Sequence, residues 1–541
     1  MEVLMSRRKL NGWSIIISLL LLLYVGSMIW INFHSALWYR MDCYTYAYEG
    51  KLMFETQSFF PENWIFGNQY QIVSSPNLAA LFYGLTKNSI SAMAFASSLS
   101  IILVFLSFIW CFKPFIGKNS LWADALCLLG GVILGTDAAL YLSGLQVLYT
   151  MCSFYACYLI GILLTLGIWL RLRTEQKVPV WLVLLAVVLN FALGMQSLRE
   201  LLVLVIPLLI TEFFFSFYSS EKGKARLYLA KNSFLFLCGV LAFELAGHFY
   251  MDSLQIPSTP IIGGLELDLI PSHLFANFWA STKNILRISG LAIAMDGIKY
   301  LPLSICALFI ASAVLLALIM IIRQKDRSPL AMSIVFSWLS LLCVYGIGVF
   351  FMRTRDIYYF IYWFLASSSI AYLLNVDRFR PKKVVLAIMT VICCVNYCFN
   401  FLPDFIDYEK NHDKLETFSQ SLADRGYSII YTDNMPIVAA ASHDRIISQS
   451  YWLDYTLETG YPLIFFPSDK HTIVYDDSHY ANSLICISDT THDSLEQAPN
   501  DYKHELMDNL VFVDQLSIRG NTFRFFDTRK RIISPPSAID M

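Results

Sequence analysis

Long runs of hydrophobic residues separated by short polar segments fill the first three quarters of the chain. A helix that crosses a bilayer needs about 20 mostly apolar residues. The pattern therefore predicts a polytopic α-helical membrane protein with about eleven transmembrane helices. The eleven predicted spans are Trp13–Phe33, Ser89–Phe112, Leu121–Gly135, Val147–Leu170, Val180–Met195, Leu201–Phe217, Ser233–Tyr250, Ile298–Ile322, Leu330–Phe351, Ile357–Leu374 and Val384–Leu402.

Basic residues concentrate in every second loop between these spans, beginning with Arg7, Arg8 and Lys9. Cytoplasmic loops of membrane proteins carry an excess of Lys and Arg. The alternation predicts a cytoplasmic N-terminus, and it places the two longest loops, 34–88 and 251–297, outside. The first apolar run is too long for a signal-peptide core, so we interpret it as a retained helix.

After Leu402 the composition becomes polar and charged, and short strand-like runs alternate with helix-like ones. The predicted strands are Tyr427–Tyr431, Arg445–Ser448, Leu484–Ser488, Leu510–Gln515 and Thr522–Phe526. The chain is thus predicted to comprise a transmembrane domain, 1–402, and a soluble extracytoplasmic α/β domain, 403–541.

Composition excludes several classes of protein. Hydrophobic residues make up 57% of the 541 residues and charged residues 15%, whereas soluble proteins carry about 25% charged residues. A net charge of −2 gives no basic field that would attract nucleic acid. No P-loop, GxGxxG, HExxH or GxSxG pattern occurs, so no cofactor is assigned. No metal is assigned either.

The first outer loop carries the most informative residues. Asp42 lies just past the first span and begins a helix-like segment, and the segment from Pro61 to Tyr70 resembles a turn. A carboxylate at the membrane surface can remove a proton from a substrate. The alternative is that Asp42 only caps the helix that follows it, a position where Asp is favoured.

This loop resembles the GT-C superfamily of membrane glycosyltransferases, particularly the protein O-mannosyltransferase and lipid A aminoarabinose transferase group. The matching residues are Asp42, Pro61, Trp64, Gly67, Tyr70 and Pro76. The resemblance implies a GT-C-like fold and transfer of a sugar from a polyprenyl-phosphate donor to a glycan, lipid or protein acceptor. Asp42 would then be the general base.

Two further loops on the same predicted side contain arginines. Arg199 precedes Glu200, and Arg353 and Arg355 precede Tyr358. The planar guanidinium group suits phosphate oxygens, so Arg199, Arg353 and Arg355 are candidates for binding the donor phosphate. The alternative is that Arg199 pairs with Glu200 and Arg355 with Asp356 as interfacial salt bridges. Accessory candidates are Glu49, Glu55, Asp137, Glu200 and Tyr358.

Other functions stay open at the level of sequence. A transporter or flippase for a lipid or solute would need polar residues at mid-membrane depth, and Glu244 and His248 lie one helical turn apart in the seventh span. A non-catalytic envelope assembly protein with the same fold is a second alternative. The expected location is a bacterial plasma membrane, and the absence of Asn-x-Ser/Thr sequons disfavours an ER-lumenal domain.

Overall fold

The computed structural model describes residues 12–61, 64, 66, 70–116, 125, 148–217, 224–256, 267–292, 297–351, 355–377, 379–432, 435–450, 482–489 and 511–527. Most of these residues are helical, and a small sheet lies near the C-terminus. The helices are α1 Gly12–Phe33, α2 Met41–Thr56, α3 Ser75–Thr86, α4 Ser89–Phe112, α5 Ala156–Arg173, α6 Val180–Gln196, α7 Ile206–Phe217, α8 Lys224–Ser253, α9 Pro271–Ile288, α10 Leu301–Gln324, α11 Pro329–Phe350, α12 Ile361–Asn375, α13 Lys382–Asn400, α14 Leu402–Asp424 and α15 Ile437–Ala440.

Eight helices within the described residues are long and apolar enough to cross a membrane. This is the architecture of a polytopic helical membrane protein. Two shorter apolar helices, Val180–Gln196 and Leu201–Ser216, coincide with two more predicted spans. The predicted span Leu121–Gly135 lies almost wholly outside the described residues. The count of eleven therefore stays a prediction.

Helices α6 and α8 cross at unusually close range, and two glycines make this possible. A Cβ atom added to Gly194 would lie 2.0 Å from the backbone oxygen of Glu244, and one added to Gly247 would lie 2.0 Å from the backbone oxygen of Phe191. Small residues at helix interfaces in membranes allow such close backbone approach. This crossing fixes the position of the C-terminal end of α6, and the loop that contains Arg199 begins there.

Two further helices, α2 and α3, follow α1. They pack closely, because a Cβ on Gly50 of α2 would lie 2.8 Å from the backbone oxygen of Pro76. Pro76 occupies the first turn of α3, where the missing N–H of proline has no intrahelical partner to lose. The first turn of α2 contains Asp42.

The C-terminal sheet has five strands in the order β2-β1-β3-β5-β4. Strand β1 pairs in parallel with β2 and β3, while β5 is antiparallel to β3 and β4. The strands lie at the predicted positions: β1 Ile429–Thr432, β2 Ile447–Ser450, β3 Ser483–Ser488, β4 Val511–Ile518 and β5 Asn521–Asp527. Arg519 and Gly520, both with positive φ, form the two-residue turn between β4 and β5.

Hydrogen bonds of three side chains, Tyr44, Asp444 and Arg519, attach this sheet region to the end of the bundle that carries α2. The Tyr44 hydroxyl of α2 donates to the Ile446 carbonyl (3.4 Å) and accepts from the Ser448 N–H (3.1 Å). The Asp444 carboxylate accepts from the backbone N–H of Ser89 at the start of α4 (2.8 Å). Arg519 donates to the Leu37 carbonyl (3.2 Å). The sheet therefore helps to hold the helix that carries Asp42.

The close crossing of α6 and α8 gives a test of the fold. We expect Gly247→Ala to lower the stability by about 1–3 kcal/mol, because the added methyl group would overlap a backbone oxygen and force the helices apart. Gly239→Ala is the matched control on the same helix, since a Cβ there meets nothing within 4 Å. Melting temperatures of the purified variants measure both effects. Equal melting temperatures for the two variants would contradict the close crossing.

Candidate functional site

One face of α2 carries two carboxyl groups with a tyrosine between them. Asp42, Tyr46 and Glu49 stand four and then three residues apart, a spacing that puts them on the same side of a helix. Both carboxyl groups act electrostatically on the Tyr46 hydroxyl. Asp42 is exposed, whereas Glu49 is buried. The face thus runs from an accessible acid at the helix start to an enclosed one two turns later.

Asp42 lies within electrostatic range of Arg355. Burial raises the pKa of the Asp42 carboxyl, and the Arg355 guanidinium offsets part of this effect. Asp42 is nevertheless exposed, and so is Arg355. Asp42 is therefore accessible although protein surrounds it, and we call the surface formed by Asp42 and Arg355 the Asp42 crevice. The alternative role as helix cap is wrong, because Arg40 is the N-cap residue and no side chain caps this helix.

Arg199 is held by three tyrosines. Its guanidinium carbon lies 4.8 Å from the ring centroid of Tyr155, 5.4 Å from that of Tyr158 and 5.0 Å from that of Tyr358. Such cation–π contacts contribute ~0.5–2 kcal/mol each. We call Arg199 with these three tyrosines the tyrosine cage. The cage positions a positive charge without neutralising it.

Tyr155 connects the tyrosine cage to the Asp42 crevice. Burial raises the pKa of its hydroxyl to about 12, and both Arg199 and Arg355 lower it. Tyr155 therefore lies near both guanidinium groups, and Arg355 lies near Asp42. The structure thus brings together the first loop, the Arg199 loop and the loop that contains Arg355 and Tyr358, all at one end of the bundle.

A hydrogen-bonded chain holds the Arg199 loop against the first loop. The Gln196 side chain accepts from the Val73 N–H (3.2 Å) and donates to the Tyr158 hydroxyl (3.0 Å). The Tyr158 and Ser197 hydroxyls lie 2.8 Å apart. Gln196 is buried, and a buried amide with satisfied partners fixes the relative position of the groups it bridges.

Glu200 does not pair with Arg199, and that alternative interpretation is wrong. Consecutive residues point about 100° apart around a helix turn. Arg199 accordingly faces the tyrosines, whereas Glu200 is wholly buried on another side. Neither oxygen of Glu200 has a hydrogen-bond partner within the described residues. Asp356 is the acid considered above as an alternative partner of Arg355. Its carboxylate accepts a hydrogen bond from the Ile357 N–H (2.8 Å) at the start of a short 3₁₀ turn.

Of the four remaining candidate residues, one lies on the Asp42 face of α2, one lies away from it, and two fall outside the described residues. Glu49 accepts a hydrogen bond from the Trp64 indole N–H (3.3 Å). Glu55 lies on another side of α2, where its carboxyl accepts from the Tyr83 hydroxyl (3.3 Å), so the structure does not bring it to the crevice. Arg353 and Asp137 lie outside the described residues. In the described ranges, no group of three or more His, Cys, Asp or Glu side chains is placed to hold a metal ion.

Sequence reasoning missed Tyr155, Tyr158 and Gln196. Tyr155 directly precedes α5 and Tyr158 lies in its first turn, and nothing in their spacing distinguishes them from the aromatic residues common at membrane interfaces.

The site offers an accessible carboxylate, a guanidinium whose charge acts on it, and a second guanidinium in an aromatic cage. This set can accept a proton at one point and bind an anion at another.

Comparisons with known proteins add no identification. No family model matches the chain, and no curated protein matches it significantly.

The buried Glu49 gives a prediction on pH. Burial raises its pKa from 4.5 to about 8, and the Trp64 hydrogen bond offsets part of this. Between these two values the folded protein holds a proton that the unfolded chain releases, so stability falls as the pH rises through this window. Glu49→Gln, which is neutral at every pH, should flatten the fall.

Melting temperatures measured from about pH 5 to about pH 8 test this prediction. Glu55→Gln is the control, because Glu55 is exposed and its replacement should leave the slope unchanged. A wild-type slope that survives Glu49→Gln would show that Glu49 is already ionised in the folded protein.

Proposed function

We propose that this protein is an integral membrane glycosyltransferase of the GT-C type. It transfers a sugar from a polyprenyl-phosphate donor, which enters from the membrane lipid, to a glycan, lipid or protein acceptor outside the cytoplasm. Asp42 is the general base, and Arg199 and Arg355 bind the donor phosphate. Arg353 belongs to the same proposed set. The reaction needs no nucleic acid.

One observation supports this proposal above the others: three loops that are far apart in sequence meet at one crevice with a base and two guanidinium groups. The charge of Arg355 acts on Asp42, the charges of Arg355 and Arg199 both act on Tyr155, and the Arg199 guanidinium lies 4.8 Å from the Tyr155 ring centroid. A base and an anion site are the two elements that sugar transfer from a phosphate requires. Their placement at the end of an apolar helix bundle suits a lipid-linked donor.

The chemistry of each residue follows from its position. Asp42 accepts the proton of the acceptor hydroxyl while that oxygen attacks the anomeric carbon. The bond from this carbon to the phosphate oxygen breaks, and the electron pair stays on the phosphate as negative charge. Arg355 and Arg199 stabilise this charge. Burial raises the pKa of Asp42, which makes the carboxylate a stronger base than an ordinary aspartate.

The proposed location is a bacterial plasma membrane, with eleven spans, a cytoplasmic N-terminus and the crevice on the outer side. The supporting observation is that the sheet contacts α2 through Tyr44. Both the Asp42 crevice and the predicted extracytoplasmic domain therefore lie at one end of the bundle. An acceptor that approaches from outside would meet the sheet and the crevice together.

The general base gives the first functional prediction. Asp42→Asn should reduce transfer from a panel of polyprenyl-phosphate sugars by about 10²- to 10⁴-fold, because the amide cannot accept the proton. Asp252→Asn is the control, since Asp252 is an exposed carboxylate that pairs with His248 (3.4 Å). Release of sugar by purified protein in nanodiscs measures the effect. Equal activity of both variants would exclude Asp42 as the base.

The tyrosine cage gives the second functional prediction. Arg199→Gln should weaken binding of undecaprenyl phosphate by at least about tenfold, which corresponds to the ~1.4 kcal/mol expected from loss of one charged hydrogen bond. Tyr358→Leu should weaken it by a few fold to about 30-fold, whereas Tyr358→Phe keeps the ring and should bind nearly as wild type. Unchanged affinity in Arg199→Gln would remove Arg199 from the anion site.

A second candidate function, transport or flipping of a lipid, is supported by the burial of Glu200 and Glu244 within the bundle. Ionisable residues at membrane depth often mark ion or substrate pathways. Sealed vesicles separate the two functions: movement of the lipid-linked sugar without its turnover would favour transport, and release of the sugar would favour transfer.

A further inference from the structure

Two glutamates lie buried behind the Arg199 loop and have no part in the proposed transfer. Glu200 directly precedes a π turn, Leu201–Val205, and Glu244 lies in α8; both have 0% exposure. A Cβ on Gly161 would lie within 2.8 Å of both the Glu200 carboxyl and the Leu193 side chain, and the next residue, Gly194, lies against the Glu244 backbone. The two glutamates therefore occupy neighbouring positions. All four carboxyl oxygens have no hydrogen-bond partner of normal geometry among the described residues.

Close-packed helices enclose this carboxyl pair. A Cβ on Gly161 of α5 would lie 2.8 Å from Glu200 Oε1, and Gly194 of α6 lies against the Glu244 backbone. The Leu193 side chain of α6 lies at the same contact, 2.7 Å from that Cβ position. Neither carboxyl has a hydrogen-bond partner of normal geometry there among the described residues.

Few charged or titratable groups face the pair. Arg199 on the same loop and Cys157 of α5 act on Glu200, and the Leu201 N–H is directed towards Glu244. His248 lies one turn beyond Glu244 and pairs with Asp252. Helix α6 contains no ionisable residue. Arg199 is thus the one cation in the described part of the chain whose charge acts on Glu200, although its side chain faces the tyrosines.

Two neighbouring buried carboxyls without hydrogen-bond partners of normal geometry are not both ionised in a low-dielectric interior, because desolvation and mutual repulsion disfavour the second charge. Either a metal cation or a proton must bind there. Metal cations such as Ca²⁺ need six to eight oxygen ligands. The neighbours of the pair, Gly161 and Leu193, supply hydrocarbon. A proton fits this environment better.

We propose that Glu200 and Glu244 form a proton-binding site, and that the bound proton keeps Arg199 available for an anion. When the site loses its proton, the negative charge on Glu200 acts on Arg199 at a distance, without an ion pair, and weakens the attraction of Arg199 for the phosphate. The proton site stands without the glycosyltransferase proposal, whereas its effect on phosphate binding rests on that proposed function.

Infrared spectroscopy tests the proton site without any assay of activity. The full-length protein in nanodiscs should show the carbonyl band of a protonated carboxyl group at neutral pH, and Glu200→Gln and Glu244→Gln should each reduce it. Glu212→Gln is the matched control, because Glu212 is equally buried but pairs with Arg173 (3.2 Å) and should contribute no such band. An undiminished band in both pair variants would overturn the proposal.

A melting experiment excludes the metal alternative. Added Na⁺ or Ca²⁺ should not raise the melting temperature of the wild type relative to Glu244→Gln. A specific rise in the wild type would show that the pair binds a metal cation, and the proton proposal would be wrong.

Binding of undecaprenyl phosphate tests the effect on Arg199. From about pH 6 to about pH 9, wild-type affinity should fall by about fivefold or more relative to Glu200→Gln, the usual scale of coupling between two sites. The ligand and Asp42 titrate in the same way in the wild type and in Glu200→Gln, so their effects on affinity cancel when the two proteins are compared. Parallel pH profiles would refute the coupling. Absence of binding in both proteins would instead contradict the phosphate site.

Discussion

The electrostatic interaction between Asp42 and Arg355 is the interaction on which the site depends. A carboxyl group surrounded by protein loses hydration, and burial alone raises its pKa. The guanidinium group beside it favours the ionised form that can accept a proton. Without Arg355 the acid would be a weaker candidate for a base at neutral pH. Without Asp42 the guanidinium would have no function beyond anion binding.

Several packing contacts keep this pairing in place. Gly50 allows α2 to lie against α3, Tyr44 anchors α2 to the sheet region, and Gln196 ties the Arg199 loop to the first loop. Each contact joins segments that are distant in sequence. Because rigid elements position the reactive groups, a displacement of the sheet would also alter the crevice.

Sequence reasoning anticipated the helices better than the site. Bilayer thickness fixes the length of an apolar run, so runs such as Ser89–Phe112 coincide with observed helices. The strands were also predicted, because alternating short runs bounded by turn residues are a local signal. The π turn Leu201–Val205 was not predicted, since its sequence is an ordinary apolar run.

The contacts within the site depend on tertiary structure and were harder to predict. Asp42, Arg199 and Arg355 could be selected as ionisable residues near span ends, but the tyrosine cage could not. Arg199 and Glu200 are neighbours in sequence, which suggested an ion pair; the helical turn instead directs them to different surroundings. Whether two such residues face each other is decided by backbone geometry, which residue type alone does not specify.

The most direct test of the account is cross-linking across the crevice. The Asp42→Cys, Arg355→Cys double variant, with the exposed Cys394 and Cys398 replaced by serine, would be treated with a short membrane-impermeant bismaleimide and analysed by mass spectrometry. We expect a cross-link between positions 42 and 355 that undecaprenyl phosphate suppresses. Labelling of both single variants without any cross-link in the double variant would contradict a shared crevice.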